Sequence, residues 1–417
     1  MEEGMEAAEV SDLLVRDGRI IEIRKNLSAR GATVIDARDR IVMPGFVDTH
    51  WHLWNTLLRP RVTGVFGASN FGNYTPMKAL YGPLYRPLDS YRSVRLSLAE
   101  ALACGITTVL NFNHNVVSRD HADAELRAHH EMGVRTLFGY GTPEGRGGEI
   151  VSEADVLAVR DRWFGSTSDT SVVYGLGVCP GQMLADDAAM ARRNGLPIIV
   201  HGVRGLLQAG LVGPDVRVAH SYRITDADIA SAGANGARFS TSATVESMLG
   251  AAYYSNAVNV QRLLGTVAVS VDSAATQTAD MFNAMRAMLS SSVSAEAGGK
   301  APFTVRELVE AVTVGGARFH GLEDEIGTLT VGKRADIQLL RTDQPTMAPF
   351  SPTDAQSVMD AVVFHGTPQI VDTVMVEGQV LLEGGELRRT SSRAIISEAQ
   401  DSMSWLDLRA LTSSSAG

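Results

Sequence analysis

From Met43 onward the chain alternates short apolar runs with helical stretches, and eight such runs can be counted: MPGFVDTH, ITTVLNF, RTLFGYG, SVVYGLGV, LPIIVHG, VRVAHS, ARFSTS and VAVSVDS. Between and after them lie stretches such as SVRLSLAEALACG, HADAELRAHHEMG, ITDADIASAGANG and FNAMRAML. Most of these end at a Gly, as helix C-termini prefer. Continuous apolar strands joined by helices predict a parallel sheet covered on both faces. Eight of them is the count of a (β/α)8 barrel. An open doubly wound sheet would carry a Gly-rich phosphate turn after its first strand, and MPGFVDTHWHLW has none.

The ends of the chain read differently. LLVRDGRIIEI and ATVIDARDRIVM are short β-type runs, with Asp17-Gly18 as a hairpin signal. The same character returns in RADIQLL, AVVFHG and IVDTVMVEGQVLLEGGELRR, where Glu377-Gly378 and Gly384-Gly385 supply turns. Two β-rich ends around a barrel predict a small β-sandwich assembled from both termini. The expected division is 1–43 and 334–390 for the sandwich, 44–333 for the barrel, and 391–417 for a C-terminal amphipathic helix with a disordered SSSAG end.

Charge and composition remove several function classes. Lys and Arg total 37 against 47 Asp and Glu, a net charge of −10, which argues against a nucleic-acid surface. No apolar run reaches the ~18 residues that span a bilayer. MEEGMEAAEV is acidic where a signal peptide needs a basic start. Cys104 and Cys179 are too few for a disulfide scaffold or a cysteine zinc site. These features describe a cytoplasmic enzyme-sized protein with neither nucleic-acid nor membrane partners; a small-molecule substrate and a homo-oligomer are expected besides.

The chemistry centres on His50-Trp51-His52. Residues i and i+2 of a strand face one side, so the two imidazoles converge at the C-terminal mouth of the first barrel strand, where barrel active sites lie. His201 ends LPIIVH, His220 ends VRVAH and Asp272 ends VAVSVD, each at the position of a ligand atop a strand. His50, His52, His201 and Asp272 are a set that holds one divalent ion with a place open for water, and His220 stands beside it for hydrogen bonding or proton transfer.

With those residues in place, the sequence resembles the amidohydrolase superfamily, in its mononuclear branch related to cytosine deaminase and the triazine hydrolases. The resemblance rests on VMPGFVDTHWH, GITTVLNFNHN, the His and Asp strand ends, and GGARFHGLEDEIGTLTVGKRADIQLL, and it runs from about Asp12 to Arg389. It implies a barrel with a two-ended sandwich, His50, His52, His201 and Asp272 as ligands, and His220 as the residue that polarises substrate or water. Binuclear branches carry a Lys or Glu on the fourth strand, and SVVYGLGVCPG has neither, so one ion is implied: Zn²⁺, with Fe²⁺ as the alternative. Two departures stand out. Arg204 occupies the position three residues after His201 where deaminases of this branch place a proton-shuttling Glu. MEEGMEAAEV also replaces the usual first strand, which leaves open a missing strand or an upstream start.

Other candidates follow from placement. Trp54 in the first loop, His114 at the end of NFNHN, Arg204 and Glu246 are expected substrate contacts. Glu246 is alternatively a replacement shuttle or a residue that simply bonds to loop backbone, and Arg204 is alternatively a partner of Glu246 or a solvent-facing residue. The loop from Arg59 to Tyr91, with Phe66, Phe71, Tyr74, Tyr81, Tyr85 and Tyr91, is a candidate cover for a flat ring. Trp51 alternates away from the ligands toward the core. Met281, Met285 and Met288 fit the buried face of a helix. His121, His129, His130, His320 and His365 read as structural or exposed, and Cys179 as a strand-end residue without an activating neighbour. The expected function is a metal-dependent hydrolase, with His220 and Asp272 catalytic, that uses metal-activated water to cleave a C–N bond or similar leaving group of a small cyclic substrate. A heteroaromatic ring aminohydrolase and a metal-dependent lyase or decarboxylase are the alternatives. A ligand-free structural protein is disfavoured, because every ligand position is filled.

Overall fold

The computed structural model describes residues 10–28, 30–64, 66–67, 70–143, 152–164, 172–181, 184–249, 256–295 and 299–414. The chain opens with the hairpin β1 (Asp12–Arg16) and β2 (Arg19–Arg24), turned by Asp17 and Gly18 at φ 51° and 77°. Both residues need φ above zero, the demand of a tight primed turn, and Asp-Gly meets it. β3 (Arg40–Pro44) follows, and then the barrel begins with β4 (Phe46–Val47). Gly45 between them lies against β-branched Thr107, and a Cβ there would collide with that side chain.

After β4 comes the 3-10 stretch Leu53–Arg61, a two-residue-strand hairpin of β5 (Phe66–Gly67) and β6 (Asn70–Phe71), and the helices Tyr74–Tyr81 and Pro87–Ala103. The side chains of Phe66 and Phe71 lie outside what is described. The remaining barrel strands are β7 (Ile106–Asn113), β8 (Arg135–Tyr140), β9 (Val173–Val178), β10 (Ile198–Val200), β11 (Val216–Val218), β12 (Arg238–Thr241) and β13 (Ala268–Val269). They form one eight-stranded sheet in the order β4-β7-β8-β9-β10-β11-β12-β13, with parallel pairing throughout. Trp51 closes the ring, bridging to Asn111 on one side and Asp272 on the other. The closing bonds run from Asp272 N–H to His50 O at 2.7 Å and from His52 N–H to Asp272 O at 2.8 Å. All residues of β7 and β8 are buried, as a sheet covered on both faces requires.

The C-terminal strands β14 (Ile337–Arg341), β15 (Val371–Val376), β16 (Gln379–Glu383) and β17 (Glu386–Leu387) join β3 in a five-stranded antiparallel sheet, in the order β17-β16-β15-β14-β3. Ile20 of the first hairpin packs with Ala335, Ile337, Leu339 and Met375 to make the sandwich core from both ends of the chain. The sandwich is tied to the foot of the barrel by Arg135, which is buried and donates to Asp336 at 2.8 Å and to Glu377 at 3.0 Å.

One expected β run is a helix. AVVFHG closes the helix Ala355–His365, because the Asp354 side chain accepts from Ser357 N–H at 2.8 Å and so caps its start. Val362 and Val363 are then buried in the main core. The C-terminal helix runs Ser392–Ser414, further than the disordered SSSAG end expected, and residues 415–417 lie outside the description. Its Ala399, Met403, Leu406 and Ala410 bury against Trp54, Leu57, Leu58 and the three tyrosines Tyr74, Tyr81 and Tyr85, so this helix backs the long first loop. Among the described residues, no helix is long and apolar enough to cross a membrane.

Candidate metal centre

Period-two geometry at the end of β4 turns His50 and His52 inward and Trp51 into the core. All three are buried, His50 and Trp51 completely. His52 Nδ1 donates to the Phe112 carbonyl at 2.8 Å, which fixes the proton on Nδ1 and leaves the Nε2 lone pair for the centre. His201 directly follows β10, and its Nε2 lies 3.2 Å from His52 Nε2. Asp272, three residues after β13, places Oδ1 3.3 Å from His50 Nε2 and 3.4 Å from His52 Nε2. Asp272 has φ 69°, a left-handed conformation that costs a non-glycine residue roughly 1–3 kcal/mol and collects at functional sites.

Three side-chain groups, His50–His52–Asp272, His50–His201–His220 and His52–His114–His201, have donor atoms within 4.8 Å of one another. Both ring nitrogens of His50 are buried without a hydrogen-bond partner, although Nε2 is within ion-pair distance of Asp272. A fully buried imidazole left in that state loses the hydrogen bonds of both nitrogens, and a divalent cation satisfies a lone pair there without supplying a proton. Three imidazoles and one carboxylate are a donor set that fits such an ion.

The electrostatics point the same way. Burial, followed by the neighbouring His52, pushes His50 down to about 3. Burial and the surrounding imidazoles hold His201 well below the ordinary histidine value. Burial alone would raise Asp272, but the attraction of His220 and of the His50 and His52 rings beside it outweighs that and keeps the carboxyl well below its usual range. His50 and His201 are therefore neutral imidazoles and Asp272 an ionised carboxylate, the forms that bind metal.

His220, two residues after β11, is set apart from these. Its Nε2 is 3.7 Å from Asp272 Oδ2, and its Nδ1 donates to Glu246 Oε1 at 3.0 Å. Glu246 is fully buried and also accepts from Thr241 Oγ1 at 3.1 Å and from Ser242 N–H at 3.1 Å. Burial opposes charge on His220, but Asp272 and Glu246 outweigh it and leave its pKa raised. Glu246, expected at the substrate, thus lies behind His220 as the residue that orients it.

The other expected contacts divide. Trp54 and His114 are both buried and bonded to each other, Trp54 Nε1 donating to His114 Nδ1 at 3.0 Å. The His114 ring sits 4.1 Å from the His52 ring. Arg204, on the helix Arg204–Gln208, has a side chain 56% exposed, and the carboxylate it meets is Asp228 at 3.8 Å, not Glu246. Of the three placements weighed for it, solvent-facing matches this position. Cys179 is buried among Leu110, Phe112, Leu137 and Ile199, and burial pushes its thiol well up, which makes it a packing residue. Met281, Met285 and Met288 are fully buried. His121, His129 and His320 are buried with polar partners, His130 stacks on Trp163, and His365 is exposed.

Phe112 is a site residue the motif search missed. Its ring stacks on His201 at 4.2 Å and meets His50 edge-on at 4.9 Å, so it forms an apolar floor that fixes both imidazoles. Its position two residues before His114 was the available signal, since i and i+2 share a face. Tyr222, 5.1 Å from the His220 ring, was also missed, and nothing in its local sequence marks it.

Comparison with known proteins agrees with the fold. The sequence model of the amidohydrolase family matches residues 41–381. The 5′-deoxyadenosine deaminase of Methanothermobacter thermautotrophicus is 25% identical over 93% of this chain and 93% of its own. The 5-methylthioadenosine/S-adenosylhomocysteine deaminase of Symbiobacterium thermophilum is 27% identical, covering 89% of this chain and 88% of its own. In structure, an adenosine deaminase from Xanthomonas campestris with bound zinc superposes with a TM-score of 0.81 at 19% identity, covering 96% and 95% of the two chains. Atrazine chlorohydrolase from Arthrobacter aurescens, complexed with zinc, superposes with a TM-score of 0.77 at 19% identity, covering 95% of each chain.

Proposed function

This chain belongs to the amidohydrolase family, and on that premise we propose that it is a metal-dependent hydrolase that cleaves a C–N bond of a small cyclic substrate, with ammonia as the leaving group. The observation that carries this reading is the convergence of four side chains, Asp272 Oδ1 lying 3.3 Å from His50 Nε2 and 3.4 Å from His52 Nε2, and His201 Nε2 lying 3.2 Å from His52 Nε2, with a carboxylate-backed His220 beside them. His50, His52, His201 and Asp272 would hold one ion, zinc by preference and iron(II) as the alternative. Bound there, such an ion supplies Lewis acidity and brings the pKa of a water from 15.7 toward about 7.

The chain's own residues account for the proton. Asp272 is held ionised, so it can accept a proton during attack and return it to the leaving nitrogen. His220 keeps its Nδ1 proton on Glu246, which leaves Nε2 as the atom that holds or gives a proton facing Asp272 Oδ2 at 3.7 Å. Deamination needs one more proton delivered to nitrogen than simple addition of water. Arg204 cannot relay it, because a guanidinium does not deprotonate in proteins. The His220–Glu246 pair supplies that capacity from another strand, which supports an aminohydrolase among the C–N hydrolases. The deaminase relatives, which match along nearly the full chain, favour the same choice.

The test is ammonia release by the zinc-loaded protein from a panel of 5′-deoxyadenosine, S-adenosylhomocysteine, cytosine and an aminotriazine, with metal content measured on the same preparation. Release from the adenine compounds is expected. A preparation with a full complement of metal that releases no ammonia from any of the four overturns the reading.

A further inference from the structure

His114 is a second way to read the metal site. One of its ring nitrogens lies within 4.8 Å of donor nitrogens of His52 and His201, the distance that would let the three share an ion. Its ring is tilted by 31° over that of His52 at 4.1 Å. By proximity alone His114 competes with His50 and Asp272 for the role of ligand, or completes a second site.

The hydrogen bond from Trp54 decides against both. An indole N–H only donates, so His114 Nδ1 at 3.0 Å must accept, and its lone pair is engaged. An imidazolium has no nitrogen that can accept, so the contact requires a neutral ring with its proton on Nε2. Neither nitrogen then offers a lone pair to a cation. Trp54 is itself held in place: it is 1% exposed, meets Tyr85 edge-on at 5.4 Å, and packs with Leu57, Leu58, Met403 and Leu406. The indole is thus fixed by the first loop and the C-terminal helix together.

We propose that Trp54 bars His114 from the metal and locks it as the Nε2–H tautomer, a fixed hydrogen-bond donor beside the centre for an acceptor atom of the substrate, a ring nitrogen or a carbonyl oxygen. Trp54 is the positioning residue and His114 the substrate contact. The substrate half of this rests on the hydrolase reading above; the tautomer and the exclusion from metal do not. Burial, which presses His114 well below the ordinary histidine value, acts in the same direction.

The experiment uses the zinc-loaded full chain and the variants His114→Phe and Trp54→Phe, which keep an aromatic ring at each place. Nitrogen NMR of histidine-labelled protein, with the His114 signals identified by their loss in His114→Phe, reads the tautomer, and elemental analysis reads the metal. Expected are a protonated Nε2 and a pyridine-like Nδ1 in the wild type, and a shift toward mixed tautomers in Trp54→Phe. Loss of a group that merely orients a ligand costs about 10–100-fold in metal affinity, and His114→Phe should fall short of ~10-fold. With 5′-deoxyadenosine as the probe, His114→Phe should raise KM about 5- to 30-fold, the equivalent of roughly 1–2 kcal/mol for a lost hydrogen bond, with a smaller change in kcat. His114→Phe protein that loses its zinc, or a His114 protonated on Nδ1 in the wild type, overturns the proposal. An unchanged KM overturns the donor role. Should the wild type leave 5′-deoxyadenosine untouched, the adenine reading fails, and the tautomer and metal measurements still decide the place of His114.

Discussion

Behind β7, on the face away from the candidate metal centre, a carboxylate is buried with no cation beside it among the described residues. Glu125, on the helix Arg119–Met132, is fully buried and accepts from Asn111 Nδ2 at 2.9 Å and Asn113 Nδ2 at 2.8 Å. Asn111 Nδ2 also donates to His129 Nε2 at 3.1 Å, and His129 Nδ1 meets Thr136 Oγ1 at 2.8 Å. Burial raises Glu125 from 4.5 to about 8, against the opposing pull of its hydrogen bonds from Asn111 and Asn113. The sign follows from linkage. Above 4.5 the unfolded chain has released this proton, while the folded chain keeps it until about 8. Across that window each pH unit therefore favours unfolding by roughly 1.4 kcal/mol from this group, a few kcal/mol in all. Stability from Glu125 is intact below 4.5 and is lost as the pH climbs to 8.

Glu125→Gln removes the titration while nearly preserving the shape. At pH 5 the variant should melt slightly below the wild type, because one acceptor is lost at a net cost of about 1 kcal/mol. By pH 9 the order should reverse. With unfolding entropy of roughly 2.1 cal/mol/K per residue, a chain this long moves its Tm by about 1 °C per kcal/mol, so the relative shift between pH 5 and pH 9 should be a few degrees. Thermal melts of both proteins at pH 5, 6, 7, 8 and 9, followed by near-UV dichroism, measure it. Parallel Tm curves for the two proteins would refute the argument, since Glu125 would then titrate alike in folded and unfolded chains.

Four further outcomes are expected at the site. His50→Ala and His201→Ala should each bring metal content from about one equivalent to near zero while the far-UV spectrum stays that of the wild type; retention of the metal would remove these residues from the ligand set. His220→Asn should keep its metal and lose about 10²–10⁴ in kcat, the usual worth of one acid–base group. Glu246→Gln should also keep its metal, and losing a charge-assisted hydrogen bond of roughly 1.5–3 kcal/mol corresponds to about a 10- to 150-fold drop in kcat; a wild-type rate would sever Glu246 from His220. Arg204→Met should leave KM unchanged and shift stability by no more than ~0.5 kcal/mol, since its guanidinium is more than half exposed; a large rise in KM would place it at the substrate after all.

The barrel and its inner ring of candidate ligands were legible because two local periodicities coincide with the architecture. A strand of period two that ends in a polar residue delivers that residue to the mouth, and the rule found His50, His52, His201, His220 and Asp272 without knowledge of any contact. The same rule failed where helical and loop residues contribute. Glu246 lies five residues beyond the end of β12 on the helix Ala243–Met248, and only the folded chain reveals that it turns back beneath His220. In HADAELRAHHEMG the charged and apolar residues interleave, so Glu125 and His129 look like a solvated face, yet both are completely buried against the asparagines of β7. The misread AVVFHG shows the converse: a β-branched run was outvoted by the Asp354 cap upstream of it and by burial of Val362 and Val363. These cases share one cause. The candidate ligands are presented by strands, whose direction is set locally, whereas the residues that contact them come from helices and loops, whose facing depends on which neighbour they pack against. A candidate ligand set can therefore be read along the chain, while the hydrogen bonds from Trp54 to His114 and from His220 to Glu246, on which the proposed proton handling and substrate orientation turn, exist only once the first loop, the C-terminal helix and the end of β12 are brought together.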